Sequence, residues 1–314
     1  MVLDETKTVT KEVWKMKVKK LMLASILIAE TLLLGMILPP SVSAASNKPI
    51  IVGSKNVSES KTVSEIYALA LEHAGYRVTR KPNISNNVIF QATQKGQIDV
   101  YPDYTGTIVQ TYLKKKGTDK SVREMAKMAH DGIAKDGLTT FQYAPGDNRQ
   151  GIAMPTETAK KYHITDLSQL QKKANKIRFA SQGEFEKRAD GLPEMNKVYG
   201  KYNFKSIKDY DASLLYRIME QGKAEAAPVS TTDGQLATNK FTLIKDNKNI
   251  WPPYNLVPVV NKKAAKKYPK MEKALNAVDA KLTTKQLTAL NKKVNVEHQN
   301  YKTVAKTWYN QNFK

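Results

Sequence analysis

Two phrases lying more than a hundred residues apart follow one plan, and that repetition restricts the chain more than any other feature. The first, VIFQATQKGQIDV over 88–100, reads as an amphipathic helix stopped at Gly96 and followed by a short strand. The second, LYRIMEQGKAEAAPVSTTDG ending at Gly234, reads as a helix, then Gly222, a short apolar strand and a polar turn. Upstream, KPIIVG over 48–53 is a short apolar strand, and Val63, Ile66, Tyr67, Ala70 and Ala74 then recur at helical spacing. Gly75 follows the last of these, where a left-handed residue ends a helix without a Cβ penalty, and YRVT resumes as a strand. Strand, helix, strand in that order implies a parallel sheet. Two α/β domains of the same design are therefore expected, each ending strands in polar loops, YPDYTGT over 101–107 among them, and ligands of open α/β sheets bind at such ends.

Further elements follow by the same signals. A strand over 152–155 leads into a helix over 156–162, Asp166 caps another helix start, and 176–180 is the next strand. Trp251-Pro252-Pro253-Tyr254 is locally rigid, LVPVV is a strand, and two helices over 264–282 and 283–293 return to the first domain.

The 314 residues are 41% hydrophobic and 25% charged, a globular composition that excludes disorder and collagen-like repeats. Cysteine is absent, which removes disulfide scaffolds, zinc-thiolate sites, cysteine nucleophiles and a lipidated cysteine anchor together. Four lysines, Lys15 to Lys20, precede an apolar run over 21–38 that closes on Val42 and Ala44, the layout of a secretory signal with cleavage after Ala44. An uncleaved anchor is the alternative, and Met16 is a second candidate start. The whole chain carries a formal +22; six lysines and four carboxylates fall before residue 45, so the exported part keeps +20. Such a surface reads first as a solvated, lysine-rich face; retention by the anionic polymers of a cell wall is the secondary reading for an exported chain, and no nucleic acid is expected.

Catalytic chemistry is not legible. His73, His130, His163 and His298 stand apart with no metal-ligand spacing, and there is no phosphate loop, no GxSxG elbow and no Ser/His/Asp grouping, so no enzyme, metal or cofactor is expected. The chain does hold 15 tyrosines, several in turns beside Gly or Pro: Tyr101, Tyr104, Tyr143 and Tyr254. A tyrosine face attracts a quaternary ammonium by roughly 0.5–2 kcal/mol per ring.

GSKNVSESKTVSEIYALALEHAGYRVTRK (53–81), GQIDVYPDYTGT (96–107), EFEKRADGLPEMNKVYG (184–200), STTDGQL and WPPYNLVPVV resemble, in this order, the osmoprotectant substrate-binding proteins of ABC importers, the glycine betaine/carnitine/choline group. The resemblance covers essentially all of 49–314. It implies a two-lobed clamshell of the periplasmic-binding-protein type II class, with lobe I over 49–148 and 253–314 and lobe II over 149–252. It also implies an extracytoplasmic location and delivery of a small-molecule solute to a permease with its ATPase. By the same resemblance, Tyr104 and Tyr254 belong to a box of rings around a quaternary ammonium, and Lys55, Thr107, Glu184 and Arg188 line the cleft or bridge the lobes. Two positions depart from the pattern: Gln150 and Ser230 stand where relatives carry tyrosines, and Tyr143 is the candidate replacement ring. A wall-attached adhesion protein on the same fold, with transport lost, is the second reading.

Overall fold

The computed structural model describes residues 48–313 apart from Glu184 and Ala189, together with all but the side chain of Asn87; the expected signal over 1–44 lies outside these residues. Among the described residues no helix is long and apolar enough to cross a membrane.

The first lobe is built on a five-stranded sheet. β1 (Ile50–Lys55) pairs in parallel with β2 (Val78–Ile84) and meets β3 (Val100–Tyr104) through Val52 and Val100. Beyond β3 the order continues through β10 to β4 (Leu138–Thr140), giving β2-β1-β3-β10-β4 with β10 antiparallel to both neighbours. β1 reads as a buried strand because both of its faces are covered. On one face Val63, Ile66, Tyr67 and Leu71 of helix Ser58–His73 pack with Leu275, Leu287 and Trp308 from the C-terminal helices. On the other, Ile89 and Phe90 pack with Met125, Ala129 and Ile133 of helix Val122–Ile133. Each such fully buried apolar side chain stabilises the lobe by roughly 1.5–3 kcal/mol. β2, at the edge, carries exposed lysine and proline, residues that blunt an open edge against pairing with another chain.

The second lobe holds β8-β5-β9 and the parallel pair β6-β7, where β5 is Gln150–Pro155, β6 Arg178–Gln182, β7 Ser206–Tyr210, β8 Ala227–Ser230 and β9 Phe241–Ile244. The Ala180 amide donates to the Ala226 carbonyl at 2.9 Å, which stitches β6 to the run entering β8. Phe179, Phe185, Tyr202 and Trp251 fill its core, and the Phe179 and Phe204 rings stack at 4.6 Å. The molecule is a two-lobed clamshell of the expected class, and the chain returns to the first sheet as β10 (Leu256–Asn261).

Several local expectations hold in detail. Helices end at Gly75, Gly96 and Gly222, whose φ values are +91°, +72° and +64°, the left-handed conformations that glycine adopts at no steric cost. The Asp166 carboxylate accepts from the Gln169 amide at 2.8 Å as an N-cap.

Three expectations are corrected. YPDYTGT is not a loop: its first four residues complete β3, and Thr105–Thr107 turn into a helix that continues as a π turn over Ile108–Tyr112. Pro102 is tolerated in this central strand because it sits opposite Pro258. With the Thr105 amide bonding the Asn255 carbonyl, the alternation makes that proline pair a non-hydrogen-bonded one, so neither missing N–H faces its partner. The helix expected over 264–282 is two, Lys262–Lys267 and Met271–Asp279, because Pro269 drives Tyr268 out of helical geometry (ψ 79°). A further helix, Tyr301–Phe313, closes the chain by burying Val304, Ala305, Trp308 and Tyr309.

Candidate functional site

The chain passes between the lobes at 147–149 and again at 253–255, and Asp147 organises both passages. Its carboxylate accepts from the Tyr254 amide at 2.9 Å and from Arg149 Nε at 2.7 Å. Its carbonyl accepts from Thr231 Oγ1 of the second lobe at 2.7 Å, and its backbone bridges to Asn255. These two crossings, held side by side by one residue, make up the hinge region that connects the lobes.

Beside the hinge lies Glu59, in the second turn-residue of helix Ser58–His73 and buried at 7% exposure. Its carboxylate accepts from the Tyr104 hydroxyl, from Asn148 Nδ2 at 2.9 Å and from Asn291 Nδ2. The same Asn291 amide also donates to the Thr232 carbonyl at 2.8 Å. One buried carboxylate thus gathers a β3 tyrosine, a hinge asparagine and, through Asn291, the loop after β8. A charged acceptor with three donors is among the stronger hydrogen-bonding arrangements a protein interior holds.

Tyr104 is buried, and burial together with the neighbouring Glu59 carboxylate holds its phenol well above the usual tyrosine range, so the ring stays neutral. The Lys55 ammonium lies over that ring, 5.8 Å from its centroid, within the reach of a cation–π contact. Lys55 is itself ion-paired with Asp103, which is fully buried and also accepts from Tyr112 at 3.2 Å. Lys55 is thus committed to Asp103 and Tyr104.

Tyr254 is half-buried and lies against Gly106, where an added Cβ would meet the ring at 2.4 Å; only glycine leaves it room. Its hydroxyl donates to Gln110 Oε1 at 2.6 Å. Burial first and then nearby Asp190 push its phenol up, and Arg188 offsets part of the rise, leaving it at about 12. Both residues come from the second lobe, and together with Tyr254 and Gln110 they wall a cavity of about 640 Å³. Arg188 is held by Asp190 through bonds of 2.9 and 2.6 Å. It also borders a second hollow of about 660 Å³ that includes Gln182, Asp209 and Tyr210.

Of the remaining expected residues, Thr107 is half-buried at the end of the helical turn after β3. Gln150 and Ser230 are direct partners across β5 and β8, so the two departures from the family pattern share one spot. Gln150 Nε2 turns to the Val229 carbonyl at 3.0 Å, and the Ser230 amide donates to Asp233 at 3.1 Å. Among the described residues no hydrogen bond joins this pair to Tyr104 or Tyr254. Tyr143 packs half-buried against the first lobe's apolar core. Glu184 lies outside the described residues. The structure therefore brings together Lys55 with Tyr104, and Tyr254 with Arg188, and keeps Gln150 and Ser230 as a separate pair.

Glu59, Asp103, Gln110, Asp147, Asn148 and Asn291 were missed by sequence reasoning. Glu59 sits inside GSKNVSES and Asp103 inside YPDYTGT, so the phrases carried a signal; their pairing spans intervals of about fifty residues that no local pattern reveals.

The family of substrate-binding domains of ABC-type glycine betaine transport systems matches residues 48–311. The ergothioneine transport permease/ergothioneine binding protein EgtU of Helicobacter pylori is 31% identical over 269 residues, which are 84% of this chain and 48% of that protein. This chain therefore spans about half the length of that relative. A glycine-betaine-binding protein of Pseudomonas aeruginosa is 28% identical, with 83% and 87% covered. The solved structure of apo YehZ from Escherichia coli superposes with a TM-score of 0.72 at 27% identity, covering 84% of this chain and 98% of the other. With a two-lobed fold, a hinge and a cleft lined from both sides, the chain belongs to the family of substrate-binding domains of ABC-type glycine betaine transport systems, proteins that bind their solute and leave it unchanged.

Proposed function

We propose that this chain captures a small quaternary-ammonium solute, betaine-, carnitine-, choline- or ergothioneine-like, and presents it outside the cytoplasm to an ABC permease with its ATPase. The lobes that close are 49–148 with 253–314, and 149–252. Tyr104 and Tyr254 supply ring faces, Thr107 a hydroxyl, and Arg188, with Glu184, contributions from the second lobe; Gln150 and Ser230 give that lobe polar groups where rings are usual. The observation that carries this reading is the Tyr254 cavity, where a neutral ring from one lobe faces a guanidinium from the other across about 640 Å³. A solute touching both sides stabilises the closed form by its preference for that form alone. The names of the relatives support the solute class. Retention by anionic wall polymer is compatible with the +20 of the exported part and independent of the cleft.

Thermal-shift and calorimetric titration with glycine betaine, carnitine, choline and ergothioneine test the reading. Tyr254→Ala and Tyr104→Ala each weaken binding more than tenfold, about 1.4 kcal/mol, and Tyr254→Phe is mild. Full affinity in both alanine variants rules out the rings, and no binding of any methylated amine rules out the solute class.

A further inference from the structure

Helix Lys262–Lys267 carries lysine at four of its six positions, and the sequence holds no acidic residue between Asp246 and Glu272. Lys262 with Lys266, and Lys263 with both Lys266 and Lys267, stand three or four residues apart, where helix side chains are neighbours and like charges repel. On three other helices exposed lysines come with an acid at that spacing: Lys127 with Asp131, Lys160 with Glu157 and Lys197 with Glu194. Among the described residues no ion pair involves Lys263, Lys266 or Lys267, and all three are exposed. Asp99, whose carboxyl feels the Lys267 charge, is taken up by the Ile51 amide at 2.8 Å. A stripe of one sign works against the helix that bears it, so solvation alone does not account for it.

The stripe is fixed at both ends. Asn261 caps the helix by accepting from the Lys263 amide at 2.9 Å, and Lys262 Nζ donates to the Ala134 carbonyl at 2.7 Å, just past helix Val122–Ile133. Ala264 and Tyr268 are buried beneath it, and the Tyr268 hydroxyl donates to the Lys48 carbonyl at 3.1 Å. The Lys270 amide in turn donates to the Tyr76 hydroxyl at 3.0 Å. Lys48 and Lys270 are exposed and add two cations beside the stripe. A backbone held this firmly leaves little main-chain ordering to be done when a partner meets the ammonium groups.

The stripe also lies away from the cleft. β10 runs antiparallel to β3, with Leu256 opposite Tyr104 and Val260 opposite Val100, and the helix follows β10 at Asn261. About 13 Å of strand therefore separates the helix end of the sheet from the level of Tyr104. We propose that this stripe, with Lys48 and Lys270, is the surface on which the exported protein holds a linear phosphodiester polymer of the cell wall, a chain with one negative charge per repeat. The partner rests on the wall-retention reading above, and the site is independent of the captured solute. Charge complementarity favours any polyanion, and the position selects among them. An anionic bilayer at this end of the lobe turns the cleft away from the membrane that houses a permease, whereas a flexible polymer leaves the cleft free to face it.

The test is calorimetric titration of the full chain with soluble poly(glycerol phosphate) at low and at high salt. Three proteins are compared: the native sequence, Lys263→Gln/Lys266→Gln/Lys267→Gln, and a control, Lys127→Gln/Lys160→Gln/Lys240→Gln, which removes the same charge from ion-paired lysines. Glutamine matches lysine in helix propensity, and melting temperatures confirm that both variants fold. The stripe variant binds the polymer about tenfold or more weakly, the control stays within about threefold of native, and high salt weakens native binding because the stripe is exposed and screened. Native affinity in the stripe variant, or equal weakening in the two variants, overturns the site and leaves wall retention by overall charge standing. No binding of the polymer by the native protein overturns wall retention and the site together. Co-sedimentation with vesicles of equal parts phosphatidylglycerol and phosphatidylcholine is the parallel arm: binding to vesicles that needs the stripe, with binding to polymer that does not, assigns the stripe to a membrane and overturns the proposal. Glycine betaine binds the native protein and the stripe variant alike; a changed affinity overturns the separation of the stripe from the cleft.

Discussion

Replacing Glu59 with alanine removes the acceptor that holds the hinge and the cleft floor together, and the cost follows from the donors left behind. Tyr104 and Asn291 are 9% and 4% exposed, so water reaches neither well, while half-buried Asn148 regains a water partner. A buried donor left without an acceptor costs about 1–3 kcal/mol. Asn291 keeps its bond to the Thr232 carbonyl and pays the lower end of that range. The two buried donors together give an expected loss of about 3 kcal/mol. For a chain of this size that corresponds to a melting-temperature drop of about 6–12 °C. Urea unfolding of the purified variant measures the loss. The matched control is Glu297→Ala, whose surface pair with Lys292 at 3.2 Å contributes under about 1 kcal/mol. A double-mutant cycle with Tyr104→Phe isolates the Tyr104–Glu59 bond, and the two substitutions are strongly non-additive. A loss below about 1 kcal/mol in Glu59→Ala, or simple additivity with Tyr104→Phe, refutes the reasoning that Glu59 is a structural hub.

Two further outcomes follow from named contacts. Gly106→Ala forces the Tyr254 ring from its seat, since the new Cβ would lie 2.4 Å from it; affinity for the captured amine falls more than tenfold, and adding Tyr254→Ala in that background costs little more. Equal affinity of Gly106→Ala and the native protein shows that the ring position is immaterial. Asp233 accepts from the Ser230 amide and the Tyr216 hydroxyl, yet burial outweighs both and pushes its carboxyl from 3.8 up to about 6, with the Glu59 charge adding to the rise. The folded state therefore binds this proton more tightly than the unfolded one. The resulting stability is fully present below about pH 4 and is lost as pH rises through about 6. Relative to Asp233→Asn, the native protein gains stability as pH falls through that window in thermal melts, and parallel profiles of the two contradict the assignment.

The sequence legibly marked the framework, and it did so through glycines and apolar spacing. Gly75, Gly96 and Gly222 all adopt the left-handed conformation expected of them, because the end of a helix is a local event governed by one residue's φ. The parallel pairing of β1 with β2 followed from element order alone. YPDYT was misread because a proline followed by an aspartate looks like a turn; the strand is tolerated because Pro102 faces Pro258 from β10 in a non-hydrogen-bonded pair, a partner more than 150 residues away. The closing helix escaped because its buried stripe is only Val304, Ala305, Trp308 and Tyr309 among polar residues, and tertiary packing supplies the rest. Tyr104 and Tyr254 were legible as rings beside turns. Their surroundings were not, since Glu59, Asn148 and Asn291 meet only in three dimensions.

The central claim is that a quaternary-ammonium solute held at Tyr254 draws the two lobes together. The absence of cysteine makes the direct measurement clean. Lys120→Cys on the first lobe and Lys208→Cys on the second, both at exposed positions, accept a donor and an acceptor dye for fluorescence energy transfer during ligand titration. The account predicts transfer that rises to a plateau with glycine betaine, carnitine or ergothioneine, and a titration midpoint displaced more than tenfold to higher ligand in the Tyr254→Ala background. Binding registered by calorimetry with no change in transfer, or an unaltered midpoint without the Tyr254 ring, contradicts it.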